Sequence, residues 1–220
     1  MKKIKAILFF LFWATVSFAQ DQKPAFWDDI QAFKKQDSLF FPPKNAILFV
    51  GSSSFTMWKD VQTYFPGYII INRGFGGSSL PDVIRYTKDV IFPYYPKQIV
   101  IYCGENDLAA SDTVTAKLVF NRFMQLFTIV RNQFPKAKVT YISMKPSPSR
   151  QLLLSKMISG NEMIKKYLSS KKGTSYVDVY REMIDDEGKP RTDLFLDDNL
   201  HMNKTGYAIW QKSIEPHLLK

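Results

Sequence analysis

Five short apolar runs, Ala46 to Val50, Tyr68 to Ile71, Gln98 to Cys103, Lys138 to Ile142 and Ser175 to Val179, alternate with stretches of helical periodicity. Each run has the length and the β-branched or aromatic content of a buried strand. A chain that repeats strand and helix has few ways to hide its apolar faces. Parallel strands need crossover connections, the crossovers are helices, and the helices cover both faces of the sheet. The clearest helix is predicted over Thr113 to Phe134, where Phe120, Phe123, Met124, Phe127, Val130 and Phe134 recur at helical spacing while Lys117, Arg122 and Arg131 point away. Others are expected from about Leu80 to Val90, from about Arg150 to Ser169 with Gly160 as a candidate break, and from Lys204 to the C-terminus. A short helix around Trp27 to Lys35 precedes Pro42-Pro43, which closes an N-terminal arm. No internal repeat or low-complexity linker offers a second domain a boundary. The expected fold is a three-layer α/β/α sandwich on a mainly parallel five-stranded sheet. At 45% hydrophobic content the 220 residues are too apolar for a disordered chain. The single cysteine, Cys103, excludes an intramolecular disulfide framework, and two histidines, His201 and His217, make a multi-histidine metal centre hard to assemble.

In such sheets ligands sit beyond the carboxyl ends of the strands, so the residues just after each strand are the ones to search. The first strand delivers Gly51-Ser52-Ser53-Ser54-Phe55, where a serine alone is more often a helix cap than a nucleophile. The second leads into Asn72-Arg73-Gly74-Phe75-Gly76-Gly77-Ser78-Ser79, whose glycines permit tight paths and exposed amides but match no phosphate-binding motif. The third ends in Cys103-Gly104-Glu105-Asn106-Asp107, and Asp197-Asp198-Asn199-Leu200-His201-Met202-Asn203 precedes the last helix. Asp198 and His201 stand three apart, so a turn can set the carboxylate on Nδ1 and leave Nε2 as a base. On residue chemistry alone His201 is equally compatible with a surface role, and Asn106-Asp107 with turn formation. Cys103 reads as a packed thiol and His217 as a helix C-terminal histidine.

These four segments, in this order and on these strand ends, resemble the GDSL or SGNH hydrolase superfamily over nearly the whole mature chain. The resemblance implies a flavodoxin-like fold, Ser53 as nucleophile, Asp198 and His201 as its partners, and an oxyanion hole from the Ser53 amide, the Gly77 amide and the Asn106 side chain. It implies no cofactor and no metal, and an ester hydrolase acting on a small-molecule, glycan or lipid ester. Two positions depart from the family pattern: Ser52 stands where an aspartate is usual and Met202 where a proline often follows the histidine. The first opens a register question among Ser52, Ser53 and Ser54, which alignment to the block resolves in favour of Ser53. Members of the superfamily include carbohydrate acetyl esterases, lysophospholipases, thioesterases and small-ester hydrolases. Removal of a small acyl group such as acetyl from carbohydrate is the favoured reading. A lipid acylhydrolase and a non-catalytic exported glycan-binding protein on an inactive scaffold are the alternatives. Phe55, Trp58 and Phe75 are candidates to line an acyl or sugar pocket, core packing being the competing role.

Residues 1–19 read as a signal peptide, with a basic start, an apolar stretch from Ala6 to Val16 and Ser17-Phe18-Ala19 at the cleavage site. The apolar stretch is shorter than the roughly 20 residues of a membrane span, so export to the periplasm or the extracellular space is expected, with no stable span after cleavage. Residues 20–43 then form the arm and 44–220 the hydrolase domain. Loss of Lys2, Lys3 and Lys5 takes 30 basic residues to 27 against 20 acidic ones, lowering the formal charge from +10 to +7. That charge is scattered in pairs such as Lys34-Lys35 and Lys171-Lys172, not interleaved with stacking aromatics, which argues against a nucleic-acid partner. The sequence carries no signal for an oligomeric state.

Overall fold

The computed structural model describes residues 23–220. The leader read over residues 1–19 lies outside them. Five parallel strands, β1 (Ile47–Gly51), β2 (Ile70–Gly74), β3 (Gln98–Tyr102), β4 (Lys138–Ile142) and β5 (Thr174–Val177), form one sheet in the order β2-β1-β3-β4-β5. The helices are, in chain order, α1 (Trp27–Leu39), α2 (Ser53–Thr56), α3 (Val61–Tyr64), α4 (Leu80–Arg85), α5 (Thr87–Val90), α6 (Glu105–Ala109), α7 (Ala116–Gln133), α8 (Leu154–Ser169) and α9 (Lys204–Ile214). This is the expected α/β/α sandwich. The strand order reverses direction between β1 and β3, so the crevice where a ligand fits lies at the ends of those two strands.

Alternation along the strands builds two cores. Leu48, Val50, Ile99, Ile101, Val139 and Tyr141 pack with residues of α4, α5, α7 and α8. Their neighbours Ile47, Phe49, Val100, Tyr102, Ile142 and Val177 pack on the other face with α2, α3 and α9. Of the α7 stripe, Phe123, Phe127 and Val130 are buried and Phe120, Met124 and Phe134 half-buried, while Val119 and Leu126 complete the buried face; the Thr115 side chain caps the N-terminus by accepting from the Leu118 N–H at 3.2 Å. Burial of each such large apolar side chain contributes about 1.5–3 kcal/mol. Among the described residues no helix is long and apolar enough to cross a membrane.

Three helical features differ from their sequence reading for local reasons. The stretch Leu80 to Val90 forms two helices because Tyr86 leaves helical geometry (φ −99°, ψ 14°) and sends its hydroxyl to the Ala25 carbonyl at 2.7 Å. Helix α8 runs unbroken through Gly160, where a Cβ would stand 2.8 Å from Met144 Cε; the glycine serves close packing. The expected helix start at Arg150 is instead a 3-10 stretch, Pro148–Leu153, in which Arg150 takes a non-helical conformation (φ −119°, ψ 27°).

Helix α1 packs beside the β2 end of the sheet. Its Asp37 accepts hydrogen bonds from the buried Arg73 and from Tyr94, and Arg73 Nε donates to the Tyr94 hydroxyl at 2.6 Å. The Phe26 ring meets Phe75 edge-on at 5.3 Å, at the start of the glycine loop.

Candidate active site

The end of β1 is shaped by one glycine. Gly51 has φ +142°, and a Cβ there would stand 1.9 Å from the Tyr102 carbonyl oxygen, so only glycine lets β1 run this close to β3 as it turns into α2. The turn is then pinned from three sides. Ser52 N–H donates to Tyr102 O at 3.0 Å, while the Gly51 carbonyl accepts from Phe75 N–H at 2.9 Å and from Ser78 Oγ at 3.1 Å. From the far side of the chain, Tyr207 on α9 donates to the Ser54 carbonyl at 2.8 Å. Ser53 becomes the first residue of α2, half-exposed, with its Cβ facing Gly76 across a gap of 4.0 Å to the point where a Gly76 Cβ would be. Its hydroxyl has no hydrogen-bond partner among the described residues, and neither does its backbone N–H.

The loop after β2 brings Gly77 (φ +84°) to the same place, its amide likewise unbonded among the described residues. The N–H groups of Ser53 and Gly77 are thus both unbonded among the described residues. Asn106, in the first turn of α6, supplies the third polar group. Its Nδ2 donates to Ser52 Oγ at 2.7 Å and to the Ser78 carbonyl at 3.0 Å, and its Oδ1 accepts from Arg150 Nη2 at 2.7 Å. Ser52, where the family pattern has aspartate, is buried and its Oγ accepts from the Asn106 amide. The next residue, Asp107, is structural: fully buried, it accepts from the Leu80 N–H at 2.8 Å and from Arg122 at 2.8 Å, and burial pushes its carboxyl above the usual carboxylate range.

The last segment folds as a tight turn. Asn199 takes a positive φ of 55°, a conformation asparagine tolerates better than most residues. This lets Asp198 Oδ1 accept from both the Leu200 and His201 N–H groups at 2.9 Å, while Oδ2 meets His201 Nδ1 at 2.6 Å. The backbone N–H of His201, its ring and the Leu200 N–H together hold the Asp198 carboxyl down to about 2. A carboxylate on Nδ1 fixes the ring and leaves Nε2 as the proton acceptor, the arrangement the spacing predicts. No hydrogen bond joins Nε2 to Ser53 Oγ; the structure brings His201 onto Asp198 and leaves the link to Ser53 unmade. Met202 is buried and packs against Gly206, filling core volume where the family often has proline.

Other readings change. Phe55, Trp58 and Phe75 are fully buried and serve core packing; Trp58 stacks on Tyr207 and meets Phe65, and Phe55 meets Trp210 and Tyr102 edge-on. His217 lies in the last turn of a terminal 3-10 helix, Glu215–His217. Burial and the nearby Lys138 lower its pKa, favouring the neutral ring, and it is its carbonyl that works, accepting from Gln98 at 2.8 Å and Lys138 at 2.7 Å. Cys103 is a buried thiol whose pKa burial raises well above the usual value. Sequence reasoning missed a charged cluster behind Asn106: Glu105, Lys145 and Arg150. The run Lys145-Pro146-Ser147-Pro148-Ser149-Arg150 at the carboxyl end of β4 was the signal, since two basic residues in a proline-held loop lie at the edge where ligands sit.

The model of the GDSL-like Lipase/Acylhydrolase family matches residues 50–209. The chain belongs to that family. The match runs from the end of β1 through the Asp198–His201 turn into α9, and places the protein in a family of serine-type ester hydrolases. Among solved structures, a GDSL-like lipase from Bacteroides thetaiotaomicron aligns with a TM-score of 0.74 at 21% identity, covering 86% of this chain and 96% of that one. A Bacteroides fragilis protein assigned as an acylhydrolase aligns at 0.75 and 21% identity over 87% and 96%. A catalytic mutant of Axe2, an acetylxylan esterase from Geobacillus stearothermophilus, aligns at 0.63 and 12% identity over 79% and 94%. At these identities the likeness is one of fold. A search of curated proteins finds no match.

Proposed function

We propose that this family member is a serine esterase that removes small acyl groups, acetyl above all, from carbohydrate or related esters. The observation that carries the catalytic part is the Asp198–His201 pair, 2.6 Å from Oδ2 to Nδ1, taken with Ser53 at the end of β1, whose hydroxyl makes no hydrogen bond among the described residues. Ser53 Oγ attacks the ester carbonyl as its proton passes to His201 Nε2, and Asp198 stabilises the imidazolium. The carbonyl oxygen, now negative, receives hydrogen bonds from the Ser53 and Gly77 amides and from Asn106 Nδ2. His201 gives its proton to the departing alcohol. The same nitrogen then deprotonates the water that attacks the acyl-enzyme, and collapse releases the acid and restores Ser53.

For the acyl group, the polar surroundings of Ser53 support a small substituent. Phe55, Trp58 and Phe75 are sealed in the core, and the concavity of about 570 Å³ between α1 and β2 takes in none of Ser53, Gly77, Asn106 and His201. An acetylxylan esterase among the similar folds is in keeping with that choice. The test is a panel of esters from acetate to long-chain acyl, on both a simple alcohol and a sugar. The proposal expects kcat/KM highest for acetate and falling steeply with acyl length. A rise toward long chains would favour a lipid acylhydrolase, and no turnover of any ester would favour a glycan-binding protein on this scaffold. The leader read over residues 1–19 supports an exported location, testable by sequencing the N-terminus of protein recovered from the periplasm or medium. A mature chain beginning at Gln20 is the expected result.

A further inference from the structure

We infer that Arg150 is a positioning residue of the oxyanion hole, locking the Asn106 amide so that Nδ2 and not Oδ1 faces the nucleophile. The inference rests on the proposed role of Asn106. An asparagine amide has two ends of nearly equal shape and opposite polarity, and an amide turned the wrong way would aim lone pairs at an oxyanion. A guanidinium only donates. With Arg150 Nη2 2.7 Å from Oδ1 and the Ser78 carbonyl 3.0 Å from Nδ2, rotation by half a turn would set donor against donor and acceptor against acceptor.

Arg150 is itself held in place. Glu105, adjacent to Asn106 on α6, is only 7% exposed at its side chain and gathers three partners: the Tyr102 hydroxyl, Lys145 Nζ at 3.2 and 3.3 Å, and Arg150 Nη1 at 3.4 Å. Arg150 Nη1 is buried and makes no hydrogen bond, so it contacts Glu105 through charge, and the directional bond of the guanidinium to this cluster is the one to Asn106. Buried from solvent, Nη1 is also poorly placed to meet a substrate, which favours positioning over binding. The loop is tied to the catalytic turn as well, because Ser149 N–H donates to the Asn199 carbonyl, between Asp198 and His201, at 3.1 Å. The non-helical backbone of Arg150 within the 3-10 stretch points it at Asn106 instead of along the helix that follows.

The test compares wild type, Arg150→Met, Arg150→Lys, Asn106→Ala and the double variant Arg150→Met with Asn106→Ala on an acetyl ester, with thermal melts of each. Misorientation of a working group by about 1 Å can cost roughly 100-fold. Arg150→Met is therefore expected to lower kcat by about 10- to 100-fold with KM within about twofold, and Arg150→Lys to recover part of the loss. Arg150→Met leaves Asn106 Oδ1 and one contact of Glu105 without a partner, so its melting temperature should fall by roughly 2–10 °C, as for Asn106→Ala, while Lys145 still pairs Glu105 and keeps the variant folded. The deciding comparison is in the Asn106→Ala background, where removing Arg150 should change kcat by less than about twofold, since a residue acting only through Asn106 has nothing left to orient. An equal loss in both backgrounds, a normal kcat in Arg150→Met, or failure of both Arg150 variants to fold would overturn the inference while leaving the esterase reading intact. No ester turnover by wild type would overturn both.

Discussion

Replacing Asn106 by alanine removes one of three donors proposed to meet the oxyanion. In the free protein both hydrogens of its amide are engaged, by Ser52 Oγ at 2.7 Å and the Ser78 carbonyl at 3.0 Å, and the transition state must draw one of them toward the new charge. Loss of a single such donor typically costs about 3 kcal/mol of transition-state stabilisation, a fall in kcat of two to three powers of ten. Because the bond forms with the charge and not with the ground-state carbonyl, KM should move little. The variant also leaves the Ser78 carbonyl and Arg150 Nη2 without their partner, costing about 1–3 kcal/mol of stability. For a chain of this size that lowers the melting temperature by roughly 2–10 °C, which a circular-dichroism melt resolves. Steady-state kinetics on an acetyl ester, with active sites counted by a fluorophosphonate, separates the two effects. A kcat within a factor of three of wild type in folded Asn106→Ala would refute the oxyanion assignment.

Asp198→Asn should lower kcat by about three to four powers of ten, because the amide no longer accepts from Nδ1 and stabilises the wrong ring tautomer; rates on the same ester check it. The carboxyl of Asp198 is held below its ordinary value of 3.8, at about 2, so its contribution to stability is complete above about pH 4 and is lost as the pH falls toward 2. The gap in melting temperature between wild type and Asp198→Asn should therefore narrow over that interval, and a gap that widened would contradict the geometry. Gly51→Ala should cost about 4 kcal/mol or more and yield little soluble protein, since the new Cβ would stand 1.9 Å from the Tyr102 carbonyl oxygen. Cys103, buried and with its thiol pKa raised, should resist iodoacetamide in the native protein and react fully after denaturation; rapid native alkylation, seen by intact mass, would contradict its burial.

Patterns of burial were readable in the sequence, and polar exceptions were not. β4 is legible residue for residue because Lys138 to Ile142 is a short β-branched and aromatic run, buried on both faces, with Pro135 upstream. β2 runs later than its apolar stretch because its second half is Asn72-Arg73-Gly74, and no hydropathy argument anticipates that Asn72 bonds the Phe55 carbonyl at 2.7 Å or that Arg73 is buried against Asp37 and Tyr94. Residues with catalytic candidacy lie in local turns, so Asp198 and His201 could be paired from a spacing of three. Arg150 could not. Its partner Asn106 is 44 positions away, and its non-helical backbone depends on Pro148 and on the bond between Ser149 and Asn199, contacts that exist only once β3, β4 and the Asp198–His201 turn are assembled.

The proposed catalysis depends on Ser53 being the nucleophile, and not Ser52, whose hydroxyl is buried against Asn106, or Ser54, which is buried as well. Mass spectrometry of peptides after reaction with a fluorophosphonate tests this most directly. The expected result is one adduct per chain, on Ser53, absent in Ser53→Ala together with ester turnover and retained in Ser52→Ala and Ser54→Ala. An adduct on another serine, or undiminished turnover in Ser53→Ala, would contradict it.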